Sequence, residues 1–195
     1  MVRAPDSKEK TVVAAAKLFS QRGYHGTALN DILDAAGSPR GSLYFHFPGG
    51  KEEIGEVASG LAGEAVRKVI TNAAETSNNV EDFLKHIVQT MASNLERSDY
   101  TEGCPIATTA LETAAQSDVL GSAARNAFQS WEHELTRGLE GFGLKRATLL
   151  ATMVLSQIEG ALLLARTYRS LEPLHRAQEA VKLLANVQRS KRVKA

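Results

Sequence analysis

The chain of 195 residues is 43 % apolar and 23 % charged with a net charge of +1, which excludes a wholly disordered or fibrous protein and allows one domain, or two small ones, with a buried core. Residues 1–51 carry seven Lys/Arg against four Asp/Glu, a net of +3, and the rest carries −2, a basic head on a mildly acidic body that suits a nucleic-acid partner for the head. The single cysteine, Cys104, excludes an intramolecular disulfide and a cysteine-cluster zinc site. Asp6, Lys8, Glu9 and Lys10 stand where a signal peptide needs apolar residues, so a cytoplasmic protein is expected.

Apolar residues recur at spacings of three and four along nearly the whole chain and no stretch alternates strictly, so an all-α fold of about nine helices is expected. The first helix spans about Ser7 to Arg22, turns Val12, Ala16 and Phe19 to one side and stops at Gly23. A short second helix follows Thr27, which can cap it, turns Leu29, Ile32, Leu33 and Ala36 inward and ends at Gly37. Ser38 and Pro39 restart a helix at once, as N-cap and first helical residue, and "PGG" (48–50) ends it. Further helices are expected near 51–75, 80–97, 106–116, 118–141, 144–169 and 172–189, divided by "TSNN" (76–79), "SDYTEGCP" (98–105), Ser117-Asp118, "GFG" (141–143) and "SLEP" (170–173). The segment 148–165 approaches the length of a membrane span, but Gln157 and Glu159 sit near its middle, where an acid costs about 2.5 to 3.5 kcal/mol. A helix buried in protein, with no membrane, is the better reading. The expected organisation is residues 1–50 as a DNA-binding head, 51–189 as a second helical domain and 190–195 as a basic tail.

Two short helices joined through Gly37, with a longer one before them, have the sequence form of a helix-turn-helix, whose second helix lies in the DNA major groove. On a helical wheel Leu43 and Phe47 fall together and pack inward, Gly41, Ser42, Phe45 and His46 lie opposite, and Arg40 and Tyr44 flank them. Arg40 can bond a guanine edge twice. Gly41 permits close approach of a phosphate or another helix. Phe45 gains a partner only from a thymine methyl or a sugar, and Tyr44, Thr27 and Lys51 would hold phosphates. The alternative keeps Phe45 and Phe47 both in the core of a three-helix unit, with His46 a surface histidine. Thr27 likewise serves as cap, as phosphate ligand or as both. "GGK" (49–51) lacks the upstream glycine and following Ser/Thr of a nucleotide-binding loop.

Residues 11–57, "TVVAAAKLFSQRGYHGTALNDILDAAGSPRGSLYFHFPGGKEEIGEV", resemble the DNA-binding head of the TetR family of bacterial transcriptional regulators. The "GSPRGSLYFHFPGGKEE" form, with "EGCPIATTALE" (102–112) and "IEGALLLAR" (158–166), resembles the lincomycin- and flavonoid-responsive group within it. The resemblance implies a homodimer that binds palindromic double-stranded operator DNA, represses a neighbouring gene and is released by a small apolar or aromatic inducer. It places DNA contacts on Thr27, Arg40, Gly41, Ser42, Tyr44, His46 and Lys51. At position 45, often His or Trp in the family, this chain has Phe.

Residues 60–189 carry no catalytic constellation, so no enzyme is expected, and no cofactor or metal. Polar groups on otherwise apolar helices (His86, Thr108, Thr109, Glu112, Gln157 and Glu159) and the apolar Phe83, Met91, Phe128, Trp131 and Leu163 have the character of a ligand pocket. The ligand-binding set drawn from them is Phe83, His86, Met91, Cys104, Thr108, Glu112, Phe128, Trp131, Gln157 and Leu163. Against it, such aromatics and methionines are more often plain core, Glu112 and Glu159 can meet Arg166 or solvent, and Cys104 reads as a packing residue ahead of a redox sensor. The last two helices carry apolar faces, Leu149, Met153 and Leu162 on one and Val181, Leu184 and Val187 on the other, that the resemblance assigns to a four-helix dimer interface. Two other readings compete: a helical carrier of apolar molecules without DNA binding, and a small helical enzyme.

Overall fold

A computed structural model describes residues 7–190, without the side chains of Ser42 and of 184–190. The expected tail beyond 190, and the side chains of Leu184 and Val187 on the expected apolar face, lie outside the described residues. The described elements are all helical: α1 (Ser7–Arg22), α2 (Leu29–Ala36), a 3-10 turn (Arg40–Ser42) running into α3 (Leu43–His46), α4 (Gly50–Thr76), α5 (Val80–Arg97), α6 (Pro105–Thr113), α7 (Asp118–Gly141), α8 (Ala147–Tyr168) and α9 (Glu172–Ser190). The two glycine stop signals act where the sequence places them. Gly23 and Gly37 adopt left-handed φ values of 79° and 60° just beyond α1 and α2, which lets the Gly37 and Ser38 amides return to the Asp34 and Leu33 carbonyls at 3.2 and 3.0 Å.

The chain forms two compact units, Met1–Glu64 with Cys104–Phe128 and Ala65–Gly103 with Gln129–Ala195. Packing therefore does not divide at residue 50, where the sequence suggested a boundary. The first stretch of α4 joins the α1 core through Ile54 and Ala58, α6 lies along α1, and Leu120 of α7 meets α4 at Gly55.

In the first unit Val12, Ala15, Leu18 and Phe19 of α1 pack with Ile32, Leu33, Leu43, Phe47, Ile54 and Ala58 in one core. Tyr24 is half-buried at its edge, 5.4 Å from the Phe19 ring. Gly55 has no room for a side chain, since a Cβ there would lie 2.9 Å from Leu120 and 3.1 Å from the Tyr24 ring. α6 lies along α1 and buries Ile106, Thr109 and Thr113. In the second unit α8 packs on α9 and α5 on both, around Phe83, Trp131, Leu135, Leu139 and Leu174. The apolar α8 is long enough to cross a membrane by length and composition, yet 39 % of its most apolar window is buried inside the unit. Leu150, Ala151, Val154, Ile158, Ala161 and Ala165 form that buried side.

Candidate nucleic-acid interface

α1 and α2 form a frame, and the short segment after Gly37 is fixed on it by two anchors, Leu43 at 4 % and Phe47 at 1 % exposure. The opposite side is open: Tyr44 is 67 % and Phe45 84 % exposed, Arg40 and Gly41 are exposed and His46 is half-buried. Two residues of helix turn the chain through about 200°, so Phe45 and Phe47 point opposite ways. The alternative with both rings in the core is thereby overturned. Among the described residues the Phe45 ring meets that of His46 edge-on, at 5.2 Å and 76°. The backbone corrects one expectation: the segment is not a single helix from Pro39, but the 3-10 turn 40–42 followed by four α-helical residues. Ser38 does not cap it. Pro39 takes the N-cap position, and the Ser38 hydroxyl joins those of Ser7 and Thr11, each at 3.1 Å, tying the α2–α3 turn to the start of α1.

Thr27 is also corrected. Its side chain is fully buried and its hydroxyl donates to the Gly23 carbonyl at 2.8 Å and the Leu18 carbonyl at 3.4 Å, so it neither caps α2 nor presents that hydroxyl to a phosphate. Extended Ala28 is the residue before α2, and the Asp31 carboxylate accepts the Ala28 N–H at 3.2 Å. Thr27 closes the α1–α2 turn from inside because the Gly23 carbonyl points into the core and needs a donor.

Lys51 emerges in the first turn of α4, half-buried, with Nζ 4.2 Å above the Tyr24 ring, a cation seated on a π face. Burial pushes the Lys51 ammonium below its usual value and the Glu112 charge pushes it back up. Burial, then Glu52, raise the Tyr24 phenol above its usual range, keeping the ring neutral beneath the lysine. Two partners of this surface escaped the sequence reading. Lys8 places Nζ 5.6 Å above the Phe47 ring, beside the end of α3, and Tyr24 carries Lys51. No helical period links either to residues 40–51.

The residues expected to hold a ligand divide between the units. Phe83, His86, Met91, Trp131, Gln157 and Leu163 belong to one, and Cys104, Thr108, Glu112 and Phe128 to the other. Phe83 and Trp131 are core residues at 0 and 1 % exposure, with Phe83 tilted against Phe142 at 5.6 Å and closing over Gly138. Their large rings fill space that a pocket would need. Gln157 and Leu163 lie on the solvent side of α8, and His86 is exposed and bonded to the Ser77 hydroxyl at 3.1 Å. Met91, Cys104, Thr108 and Phe128 are half-buried; the Thr108 hydroxyl donates to the Cys104 carbonyl at 2.8 Å, and Cys104 caps α6, its Sγ 3.4 Å from the Ala107 N–H. The Glu112 carboxylate accepts the His25 backbone N–H at 2.7 Å in the head. Leu162 and Val181, expected on the apolar faces of a dimer interface, are buried within the chain, while Leu149, Met153, Leu163, Leu164, Tyr168 and Leu183 are exposed. Among the described residues no group of three or more His, Cys, Asp or Glu could hold a metal ion.

A short reading segment anchored by buried Leu43 and Phe47, and presenting Arg40, Tyr44 and Phe45 from a three-helix frame, defines a helix-turn-helix DNA-binding protein. Residues 12–56 match the model of the tetR family of bacterial regulatory proteins, and 80–180 match that of the LmrA/YxaF-like transcriptional regulator C-terminal domain. The chain belongs to the TetR family and is a TetR-type transcriptional regulator. It is 34 % identical to the HTH-type transcriptional regulator YxaF of Bacillus subtilis, over 94 % of this chain and 97 % of that protein. It is also 34 % identical to the HTH-type transcriptional regulator LmrA of the same organism, over 87 % of this chain and 91 % of that one. A TetR transcriptional regulator from Legionella pneumophila has the same fold, with a TM-score of 0.85 at 21 % identity over 94 % of this chain and all of that one.

Proposed function

We propose that this regulator is a repressor that binds a palindromic operator as a homodimer in the cytoplasm and is released by a small apolar or aromatic ligand. The observation that carries the DNA reading is the opposed exposure of Phe45 and Phe47, which leaves Arg40, Gly41, Tyr44, Phe45 and His46 on one open side of an anchored segment. In this reading Arg40 reads a base edge, Tyr44 and Lys51 hold phosphates, Phe45 lies on a thymine methyl or sugar, and Gly41 and Ser42 allow close backbone approach. Fluorescence titration of DNA from upstream of its own gene tests it. Arg40→Ala is expected to cost roughly 1 to 3 kcal/mol and to relax preference at one base pair. Equal loss on every sequence would remove Arg40 from base reading.

Dimerisation is supported by the apolar outer side of α8, where Leu149, Met153, Leu163 and Leu164 stand exposed, and by exposed Leu183 on α9. A second copy of the chain covers it in this reading and sets the two reading segments one DNA turn apart, about 34 to 36 Å. Induction then needs a ligand that prefers a dimer without that spacing. The LmrA/YxaF-like match over 80–180 supports placing the chain in the lincomycin- and flavonoid-responsive group. Thermal stabilisation by apolar drugs and plant phenolics is the first screen. Equal ligand affinity of free and operator-bound protein would refute induction, because a ligand without preference shifts nothing. Ligand contacts are proposed at Thr108 and Phe128, whose substitution should alter that stabilisation and leave DNA binding intact.

A further inference from the structure

Glu112 sits on α6, yet its carboxylate meets the turn between α1 and α2 and acts on Lys51 at the start of α4. It accepts the His25 backbone N–H at 2.7 Å, a bond between residues 87 apart in sequence. Gly23, at the other end of that turn, has φ +79°, and a Cβ there would collide with the same carboxylate. Glycine at position 23 thus serves both the backbone and the seating of Glu112. Between the two lies Tyr24, whose ring carries the Lys51 ammonium at 4.2 Å and packs against Phe19 and Gly55.

We propose that Glu112 is a positioning residue for DNA binding: by holding the Gly23–His25 turn it fixes the Tyr24 ring, and through that ring it sets Lys51 against the DNA backbone. The bond is exposed on the His25 side, but it is charge-assisted and short, and charge-assisted bonds are the stronger kind. Its effect on Lys51 is indirect, through the ring and through the field that also favours the charged ammonium. The proposal rests on the phosphate role given to Lys51 above.

Titration of a labelled mixed-sequence duplex between about 50 and 200 mM salt separates the outcomes, because each phosphate contact adds about 0.9 to the salt slope. Losing two contacts, one per copy in a dimer, changes the affinity ratio across that range by about twelvefold. Lys51→Ala should show this flattening. Glu112→Ala should show most of it, and the double variant should show no more than Lys51→Ala alone. Glu112→Gln, whose side-chain carbonyl still accepts the His25 N–H, should keep the original slope. Gly23→Ala, which drives the carboxylate off the turn from the other side, should flatten it again and stands in if Glu112→Ala fails to fold by circular dichroism. An unchanged slope in Glu112→Ala beside a flattened Lys51→Ala overturns the proposal. So does equal loss in the Gln and Ala variants, since charge alone would then carry the effect. An unchanged slope in Lys51→Ala defeats the phosphate role of Lys51 itself, and the proposal with it.

Discussion

Replacing Phe45 and Phe47 one at a time by alanine separates the two sides of the reading segment. Phe47 is 1 % exposed in the core of the head, so its truncation leaves a cavity and should cost about 3 to 5 kcal/mol of folding stability. Phe45 is 84 % exposed, and removing it should change stability by no more than about 0.5 kcal/mol. Its loss should appear on DNA instead. Covering about half of the exposed ring, roughly 75 Å² at about 25 cal/mol per Å², is worth about 2 kcal/mol, or thirtyfold in affinity, for each reading segment. Urea denaturation gives the first quantity and fluorescence anisotropy on upstream DNA the second. Replacing thymines singly by deoxyuridine then asks what the ring touches: if it is a 5-methyl group, one substitution weakens the unaltered protein and leaves Phe45→Ala indifferent. A Phe45→Ala protein that loses more than about 1 kcal/mol of stability, or keeps full DNA affinity, refutes the reasoning.

Thr27→Val preserves shape but leaves buried Gly23 and Leu18 carbonyls without the hydroxyl donor; it should cost about 1 to 3 kcal/mol by urea denaturation and leave the salt slope of DNA binding unchanged. Leu163→Glu, on the 63 % exposed outer side of α8, should yield a folded monomer by light scattering at micromolar concentration, and an unchanged dimer would place the interface elsewhere. Because burial holds Lys51 below the ordinary lysine value, it should lose its charge at lower pH than a free lysine side chain. DNA affinity should therefore fall at the acidic edge of the ordinary lysine range, and Lys51→Arg should abolish that fall. By the same sign the unfolded chain binds more protons there, so folding stability should rise with pH across that window in the unaltered protein and not in Lys51→Met.

Much of the head was legible because its signals are local. Gly23 and Gly37 are the residues that the two helix ends require, and Leu43 and Phe47 share a face four residues apart whatever they pack on. The apolar side of α8 was legible as a periodicity, but its division was not: Leu162 and Leu163 are adjacent and equally apolar, and only the packing of α8 on α5 and α9 decides that one is 7 % and the other 63 % exposed. Phe83 and Trp131 were open to either reading for the same reason. A ring that lines a pocket and a ring that fills a core have the same sequence signature.

The amino-acid order by itself determined the longer helices and the helix-turn-helix form, since each follows from residues within a turn or two of one another. Tertiary structure alone decided that Thr27 turns inward to a carbonyl, that Lys51 rests on Tyr24, and that Glu112 serves the α1–α2 turn of the head. Those bonds depend on which helix lies across from which. A hydroxyl, an ammonium or a carboxylate carries no mark of its distant partner until packing brings an unpaired donor, acceptor or ring within about 3 to 4 Å.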